Sequence, residues 1–313
     1  MPLKLAMLGT GTFALPTFRA LLDSPHEVAA LVTQPDREGR GHHRHVNPLK
    51  VLAEERGVAV LQPPRVKRPE AVERLRAVGA DLFVTAAYGQ LLSQEVIDLP
   101  RLGAINLHGS LLPKYRGAAP VQRAVMAGET RTGVTAFQIT VGMDEGPMLA
   151  AVETDIGARE TAGGLHDRLA ELAAPLAVEV VDALADGTAE PVEQDHAAAT
   201  HAAKLAKEDG IVDWSRPARL VDAQIRGVQP WPKARTWWNG ETELLVPEVE
   251  PAGGSGEAGT VLSLDPPTVG CGEGAVRLVR VQPPGKKAVT GEEFVRGYPI
   301  QVGDTLGGTR EGA

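Results

Sequence analysis

Short apolar runs alternate with stretches of helical periodicity through the first part of the chain. An apolar run bounded by turn residues predicts a buried strand, and apolar residues three and four apart predict a helix. The predicted strands cover residues 3–8, 28–32, 58–61 and 82–86, and the predicted helices cover 13–22, 48–56 and 69–78. This alternation predicts an α/β fold with a doubly wound, mostly parallel, Rossmann-like sheet.

The pattern continues before the composition changes. Further strands are predicted at 103–107, 134–139 and 148–153, and further helices at 116–127 and 162–184. Residues 186–206 then turn to Ala, His, Gln, Gly and Pro, a composition typical of a linker. We therefore predict a first domain over residues 1–188 and a linker over 189–206.

The last third of the chain has a different pattern. Short β-like runs at 234–238, 243–246, 259–264 and 275–281 are separated by Pro and Gly. Short strands at regular spacing predict a small barrel. This second domain is predicted over residues 207–313.

Composition and charge limit the classes of function. The chain has 313 residues, a mass of 33.0 kDa and a net charge of −8, which opposes general nucleic-acid binding and requires any RNA contact to be local. Cys271 is the only cysteine, which fits a reducing cytoplasm. No signal peptide or membrane-spanning apolar run is recognisable, so we expect a soluble, cytoplasmic protein. A monomer is the default expectation for its oligomeric state.

The turn after the first strand contains Gly9, Gly11 and Ala14, which together form a GxGxxA pattern. This pattern occurs in dinucleotide-binding folds, where an acidic residue after the second strand holds the ribose. Here the second strand leads into Thr33, Gln34 and Pro35 instead. Close packing of strand and helix is therefore the favoured interpretation, and a dinucleotide-dependent oxidoreductase is an alternative.

The candidate chemistry lies at the end of the strand predicted at 103–107. Asn106 and His108 are two residues apart and so share a face of that strand, and Asp144 follows on a Gly-rich turn. An amide can donate to a developing oxyanion, and an imidazole oriented by a carboxylate can exchange a proton near neutral pH. Ser110 lacks the surroundings of a hydrolase nucleophile, so we expect the attacking group to belong to the substrate.

An Asn-x-His pattern alone is weak, because both residues are also common as turn formers at strand ends. The sequences around it, INLHGSLLPKYRGAAP at 105–120 and TGVTAFQITVGMDEGPML at 132–149, resemble the catalytic core of the folate-dependent formyltransferases. The resemblance implies that Asn106, His108 and Asp144 are catalytic and that the formyl donor is 10-formyltetrahydrofolate, with no metal. It also implies that the formyl donor is contacted by Ser110, Leu111, Leu112 and Pro113, and by Tyr88 and Leu91.

Residues 37–45 form a basic, Gly-rich stretch with three arginines, two glycines and three histidines. It can be read as a solvated loop, or as a loop that orders on a phosphate backbone, and a metal site is not favoured. It resembles the loop that tRNA-formylating members of the family insert against the acceptor end. Arg40 matches the arginine of that loop, whereas His42 and His43 replace a common basic pair.

The C-terminal part carries the same resemblance. KLAKEDGIVDW at 204–214, PWP at 230–232 and PGKK at 284–287 resemble the OB-like C-terminal domain of the tRNA-formylating members. Lys204 and Lys207 are accordingly expected to contact tRNA. Since the resemblance spans nearly the whole chain, it implies formylation of the amino group of methionyl-initiator tRNA in translation initiation. A sugar-nucleotide or other small amine remains an alternative acceptor.

Overall fold

A computed structural model describes residues 1–36 and 47–307, and these divide into two compact units. The first unit contains the described residues of Met1–Pro120, Arg131–Asp155 and His166–Ala202. The second contains those of Val121–Thr130, Ile156–Leu165 and Ala203–Ala313. The predicted domain limits at 188 and 207 stay predictions about independently folding parts.

A seven-stranded sheet forms the centre of the first unit. Its strands, together with the two-residue strand β6, are β1 (Lys4–Gly9), β2 (Glu27–Val32), β3 (Ala59–Leu61), β4 (Leu82–Ala86), β5 (Ala104–His108), β6 (Arg116–Gly117), β7 (Arg131–Gln138) and β8 (Met148–Asp155). The sheet order is β3-β2-β1-β4-β5-β7-β8; β1 to β5 run parallel, whereas β7 and β8 are antiparallel. The predicted Rossmann-like, mostly parallel sheet is confirmed.

Six α-helices occur among the described residues before 190. They are α1 (Ala14–Asp23), α2 (Pro48–Glu55), α3 (Pro69–Val78), α4 (Gln94–Ile97), α5 (Pro120–Met126) and α6 (Ala162–Asp186). The start of α2 is set locally, since Asn47 accepts a hydrogen bond from the Leu49 N–H and Pro48 occupies the first turn. In residues 1–36 and 47–307, no helix is both long enough and apolar enough to cross a bilayer.

The strands β1, β2 and β4 are buried on both faces, and Leu8, Val32 and Phe83 belong to one apolar cluster. At Gly9, a Cβ atom would lie 2.8 Å from the Cβ of Ala14, so glycine permits α1 to approach the end of β1. This close approach agrees with the packing interpretation of the GxGxxA turn.

Two short segments differ from the sequence expectation. The helix predicted from residue 116 begins at Pro120 instead, because Arg116 and Gly117 form β6 and pair with β9 (His201–Ala202). Residues in the predicted linker also make regular contacts, since Val192 pairs with Met148 and a 3-10 helix occupies His196–Ala198. The chain from 192 to 202 therefore packs within the first unit.

The second unit contains a six-stranded antiparallel sheet. Its strands are β10 (Arg235–Trp238), β11 (Thr242–Ala252), β12 (Val261–Leu264), β13 (Pro267–Gly270), β14 (Ala275–Gln282) and β15 (Val289–Thr290), and its helices are α7 (Ala218–Gly227) and α8 (Gly291–Gly297). The order is β10-β11-β14-β13-β12, with β15 on β14. Residues 304–307 pair with both edges, through Trp238 with Leu306 and Thr260 with Thr305. The OB-like barrel is confirmed, whereas the sequence analysis missed α7 and α8.

Candidate active site

Strand β5 carries two of the predicted catalytic residues between β4 and β7. Asn106 stands opposite Thr85 of β4 and Phe137 of β7, and His108 stands opposite Thr135 of β7. Side chains two apart on a strand leave the same face, so the amide and the imidazole lie on one side of the sheet. Both come at the carboxyl end of a parallel strand, where open α/β sheets bind their ligands.

The amide of Asn106 is oriented by a buried threonine. The Thr85 Oγ1 donates to Asn106 Oδ1 at 2.6 Å, so the amide oxygen points into the sheet. The opposite end of the amide, Nδ2, has no hydrogen-bond partner among the described residues. Asn106 is only half-buried, and its two N–H donors are therefore available to a ligand.

His108 is buried and held at one ring nitrogen. Its Nε2 lies 2.9 Å from the carbonyl oxygen of Tyr115, and because a carbonyl oxygen can only accept, Nε2 carries a hydrogen. The Phe137 ring stands perpendicular to the imidazole at 6.3 Å between centroids. The nitrogen left for proton exchange is Nδ1, which lies 3.7 Å from Asp144 Oδ2.

Asp144 lies on the loop between β7 and β8 and brings a carboxylate to this imidazole. Its Oδ2 accepts a hydrogen bond of 2.8 Å from the Gly117 N–H, and its side chain is 20% exposed. The 3.7 Å gap between His108 Nδ1 and Asp144 Oδ2 is longer than a direct hydrogen bond, and a water that hydrogen-bonds to both groups can link them. The imidazole and the carboxylate thus come together in the first unit, and the Asn106 amide leaves the same face of β5 as the imidazole.

The segment predicted to contact the formyl donor is tied to β7 by Thr135. The Thr135 Oγ1 donates to the Ser110 carbonyl at 2.8 Å and accepts from the Leu112 N–H at 3.1 Å. The Ser110 hydroxyl is buried and donates to the Lys114 carbonyl. Leu112 is buried as well, whereas Leu111 and Pro113 are half-buried. Ser110 must therefore contact the formyl donor through its backbone, unless its hydroxyl gives up its hydrogen bond to the Lys114 carbonyl.

The two remaining candidates lie in contrasting surroundings. Tyr88 is buried in the cluster around Phe83, and its hydroxyl has no partner among the described residues. Burial raises the pKa of the Tyr88 hydroxyl above its usual range. Leu91 is 75% exposed. Their roles in donor binding stay predictions.

The residues predicted to contact tRNA lie elsewhere in the chain. Arg40 falls outside the described residues. Lys204 and Lys207 belong to the second unit and both are exposed. The Lys207 backbone carbonyl accepts from Arg235 Nη2 at 2.8 Å. Their contact with tRNA stays a prediction.

Gln194 is a contact residue of the Asp144 loop that the sequence analysis missed. It is only 4% exposed, and its amide donates to the carbonyl oxygens of Asp144 and Gly146. The stretch around it was predicted as a linker because its composition has neither helical nor strand periodicity. A single glutamine in such a stretch carries no signal of burial, so only the structure could identify it.

The comparisons with known proteins agree across both units. The sequence model of the family described as formyl transferase matches residues 3–181, and that of the formyl transferase C-terminal domain matches residues 204–299. A methionyl-tRNA formyltransferase of Citrifermentans bemidjiense is 43% identical over 308 residues, covering 97% of this chain and 96% of its own. One from Pseudomonas fluorescens is 47% identical over 311 residues, covering 98% of both chains.

A solved structure extends the likeness to the fold. The N-formyltransferase of Helicobacter canadensis, crystallised with folinic acid and dTDP-3-aminofucose, superposes with a TM-score of 0.66 at 14% identity. The match covers 90% of this chain and 99% of that one. With both family domains matched and relatives above 40% identity over nearly the full length, the chain belongs to the formyl transferase family.

Proposed function

We propose that this protein transfers the formyl group of 10-formyltetrahydrofolate to the α-amine of methionyl-initiator tRNA. The observation that carries the proposal is the approach of His108 and Asp144 at 3.7 Å beside Asn106, on a chain whose relatives match in both domains. The name of those relatives, methionyl-tRNA formyltransferase, supports tRNA as the acceptor. Such a reaction belongs in the cytoplasm, where aminoacyl-tRNA is used.

The amide of Asn106 acts on the oxygen of the formyl group. The unprotonated amine attacks the formyl carbon, a new C–N bond forms, and the carbonyl electrons move onto oxygen. Because Thr85 holds the amide by its oxygen, Nδ2 is positioned to donate to this oxyanion without reorganising. Donors arranged in advance stabilise charge only as it develops, which is what accelerates the step.

His108 and Asp144 act on the protons. With Nε2 committed to the Tyr115 carbonyl, the imidazole meets the reacting atoms through Nδ1, and a proton there can be donated to the oxyanion. The Asp144 carboxylate lies 3.7 Å from that nitrogen and accepts the proton that the attacking amine must lose, directly or through a water. Collapse of the intermediate returns the oxygen-bound proton to His108 Nδ1 and re-forms the carbonyl. The bond between the formyl carbon and N10 breaks, and N10 leaves with the proton that Asp144 took from the attacking amine.

The remaining predicted contacts complete the proposal. Residues 110–113, with Tyr88 and Leu91, would contact the formyl donor at the carboxyl edge of the sheet, and no metal takes part. Arg40 and the exposed Lys204 and Lys207 would contact the phosphate backbone of the tRNA, as a protein with net charge −8 requires local cations for this purpose. The protein is expected to act as a monomer.

Transfer of labelled formyl from 10-formyltetrahydrofolate tests the proposal. We expect rapid labelling of initiator methionyl-tRNA, with elongator methionyl-tRNA and a 3-amino nucleotide sugar offered as alternative acceptors. Preferred labelling of the nucleotide sugar would replace the acceptor while keeping the chemistry. Failure to label either acceptor, together with tight NADH binding in a fluorescence titration, would favour the oxidoreductase alternative.

A further inference from the structure

Gln194 makes four contacts that together connect the Asp144 loop to the rest of the first unit. Its Nε2 donates to the carbonyl oxygen of Asp144 at 2.9 Å and to that of Gly146 at 2.8 Å. Its Oε1 accepts from Arg116 Nε at 3.1 Å and from Arg116 Nη2 at 2.7 Å. Guanidinium nitrogens only donate and carbonyl oxygens only accept, so the orientation of this amide is unambiguous.

Arg116 is itself held from several sides. Its side chain is only 12% exposed, Nη2 lies 3.2 Å from His196 Nδ1, and Nη1 lies 3.9 Å from Glu145 Oε2. A guanidinium this far out of water needs acceptors at fixed positions, and Gln194 supplies one with two N–H donors pointing at it. The pair of side chains therefore forms a rigid brace behind the Asp144 loop.

Strand β6 and the residue before it, Tyr115, also contact both proton-handling side chains. Tyr115 accepts from His108 Nε2, and Gly117 donates to Asp144 Oδ2. Strand β6 is fixed in turn by its pairing with His201–Ala202 in β9. At Gly117, φ is +121° and a Cβ would lie 2.7 Å from the Ala202 carbonyl oxygen, so only glycine fits there. Three consecutive residues thus orient the imidazole, the brace and the carboxylate.

The backbone of the loop needs such support. Asp144 has φ of +53° and Tyr115 has φ of +60°, a region that costs free energy for residues with a side chain. Conformations of this kind persist where the surroundings determine them, and they cluster at functional sites. The two hydrogen bonds from Gln194 hold the peptides on both sides of the Asp144–Gly146 turn. Without them, this loop is free to relax and to carry the carboxylate away from His108.

We propose that Gln194, locked by Arg116, is a positioning residue that sets the Asp144 carboxylate against His108 for formyl transfer. The inference rests on the proposed function, because it assigns Gln194 an effect on that reaction beyond stability. Gln194 itself contacts neither substrate in this scheme. Its effect must therefore appear in turnover and must pass through Asp144.

Gln194→Met removes the brace at nearly constant volume, and the chain offers a matched control. Gln224 is also a buried glutamine whose Nε2 donates to two backbone carbonyls, those of Asp209 and Ile211, but it lies in the second unit. We expect Gln194→Met and the control Gln224→Met both to lower the melting temperature. Only Gln194→Met should lower kcat, by roughly 10- to 100-fold at unchanged KM for the formyl donor, because misplacement by about 1 Å has costs of this order.

The decisive measurement repeats Gln194→Met in an Asp144→Ala background. If Gln194 acts through Asp144, adding Gln194→Met to Asp144→Ala should change kcat by less than about twofold. If the two residues act independently, the two losses in kcat should multiply. Gln194→Glu gives a second variant, which retains an acceptor for Arg116 but loses the N–H donors, and it should lower kcat as well. An unchanged kcat in Gln194→Met and Gln194→Glu, or the full loss recurring without Asp144, would overturn the proposal.

These outcomes are separate from those of the proposed function. A wild-type protein that does not formylate methionyl-tRNA contradicts the function itself. A wild-type protein that does so, with Gln194→Met turning over normally, contradicts only the positioning role.

Discussion

Replacing Asn106 by alanine is the most direct test of how the site stabilises charge. The substitution removes the Nδ2 donors without touching the ring nitrogens of His108 or the Asp144 carboxylate. It also leaves the buried Thr85 hydroxyl, which now donates to Asn106 Oδ1 at 2.6 Å, without that acceptor. Two separable effects follow, one on the reaction barrier and one on folding.

The size of each effect follows from the contact that is lost. Removing one oxyanion donor costs about 2.7 to 4 kcal/mol of transition-state stabilisation. At about 1.36 kcal/mol per tenfold change in rate, kcat should fall by roughly two to three decades. A buried hydroxyl left unsatisfied costs about 1 to 3 kcal/mol of folding stability, although water entering the vacated space would reduce this cost.

Single-turnover transfer of labelled formyl to saturating methionyl-tRNA measures the chemical step. Thr85→Val is the matched control, because it removes the orienting hydrogen bond but keeps the amide. One such hydrogen bond contributes about 0.5 to 1.5 kcal/mol, which predicts a smaller loss in kcat of about 2- to 12-fold. The KM for tRNA should be nearly unchanged in both variants, because the Asn106 amide donates its hydrogen bond in the transition state.

A turnover of Asn106→Ala close to that of the wild-type protein would refute the oxyanion role. So would a loss confined to the KM of either substrate, because that pattern indicates uniform binding. A thermal melt run on the same preparations separates a folded, inactive enzyme from an unfolded one.

Three further perturbations test other parts of the molecule. Arg40→Ala should raise the KM for methionyl-tRNA, increasingly so at low salt, while the KM for the formyl donor stays constant; equal effects on both substrates would contradict a tRNA contact. The N–H of Lys4 and the side chain of Arg101 donate to Asp81 and lower its pKa below the usual value of 3.8. The ionised Asp81 carboxylate therefore stabilises the fold above pH 3.8, its usual pKa. This stabilisation is lost as the pH falls through the lowered pKa of the folded protein. Melting temperatures of Asp81→Asn and wild type should differ at pH 7 and converge once the pH falls below the lowered pKa of Asp81. Tyr88→Phe removes a buried hydroxyl without a partner among the described residues and should raise stability by about 1 kcal/mol in urea melts; a higher KM for the formyl donor would instead reveal a ligand on that hydroxyl.

Much of the first unit follows from local pattern. The helix predicted at 69–78 and the strand predicted at 82–86 are α3 and β4 with the same limits. Both carry strong local signals, namely a proline at the helix start with a glycine after its end, and an apolar run in which Thr85 is the single polar residue. The barrel was foreseen from its strand spacing, but its closure by residues 304–307 was not. That closure depends on pairing between segments distant in sequence.

The features of the candidate site also divide into those set by local sequence and those set by tertiary contacts. The sequence alone determined that Asn106 and His108 share a face, because strand periodicity depends on neighbouring residues only, and its motifs singled out Asp144. Tertiary structure alone decided which atoms meet: Nδ1 of His108 facing the carboxylate, Gly117 holding that carboxylate, and Gln194 reaching the loop from a stretch read as a linker. A two-residue strand and a single buried glutamine have no periodicity to detect. Their positions come from hydrogen bonds across 27 to 85 residues of chain, which form only when the whole unit folds.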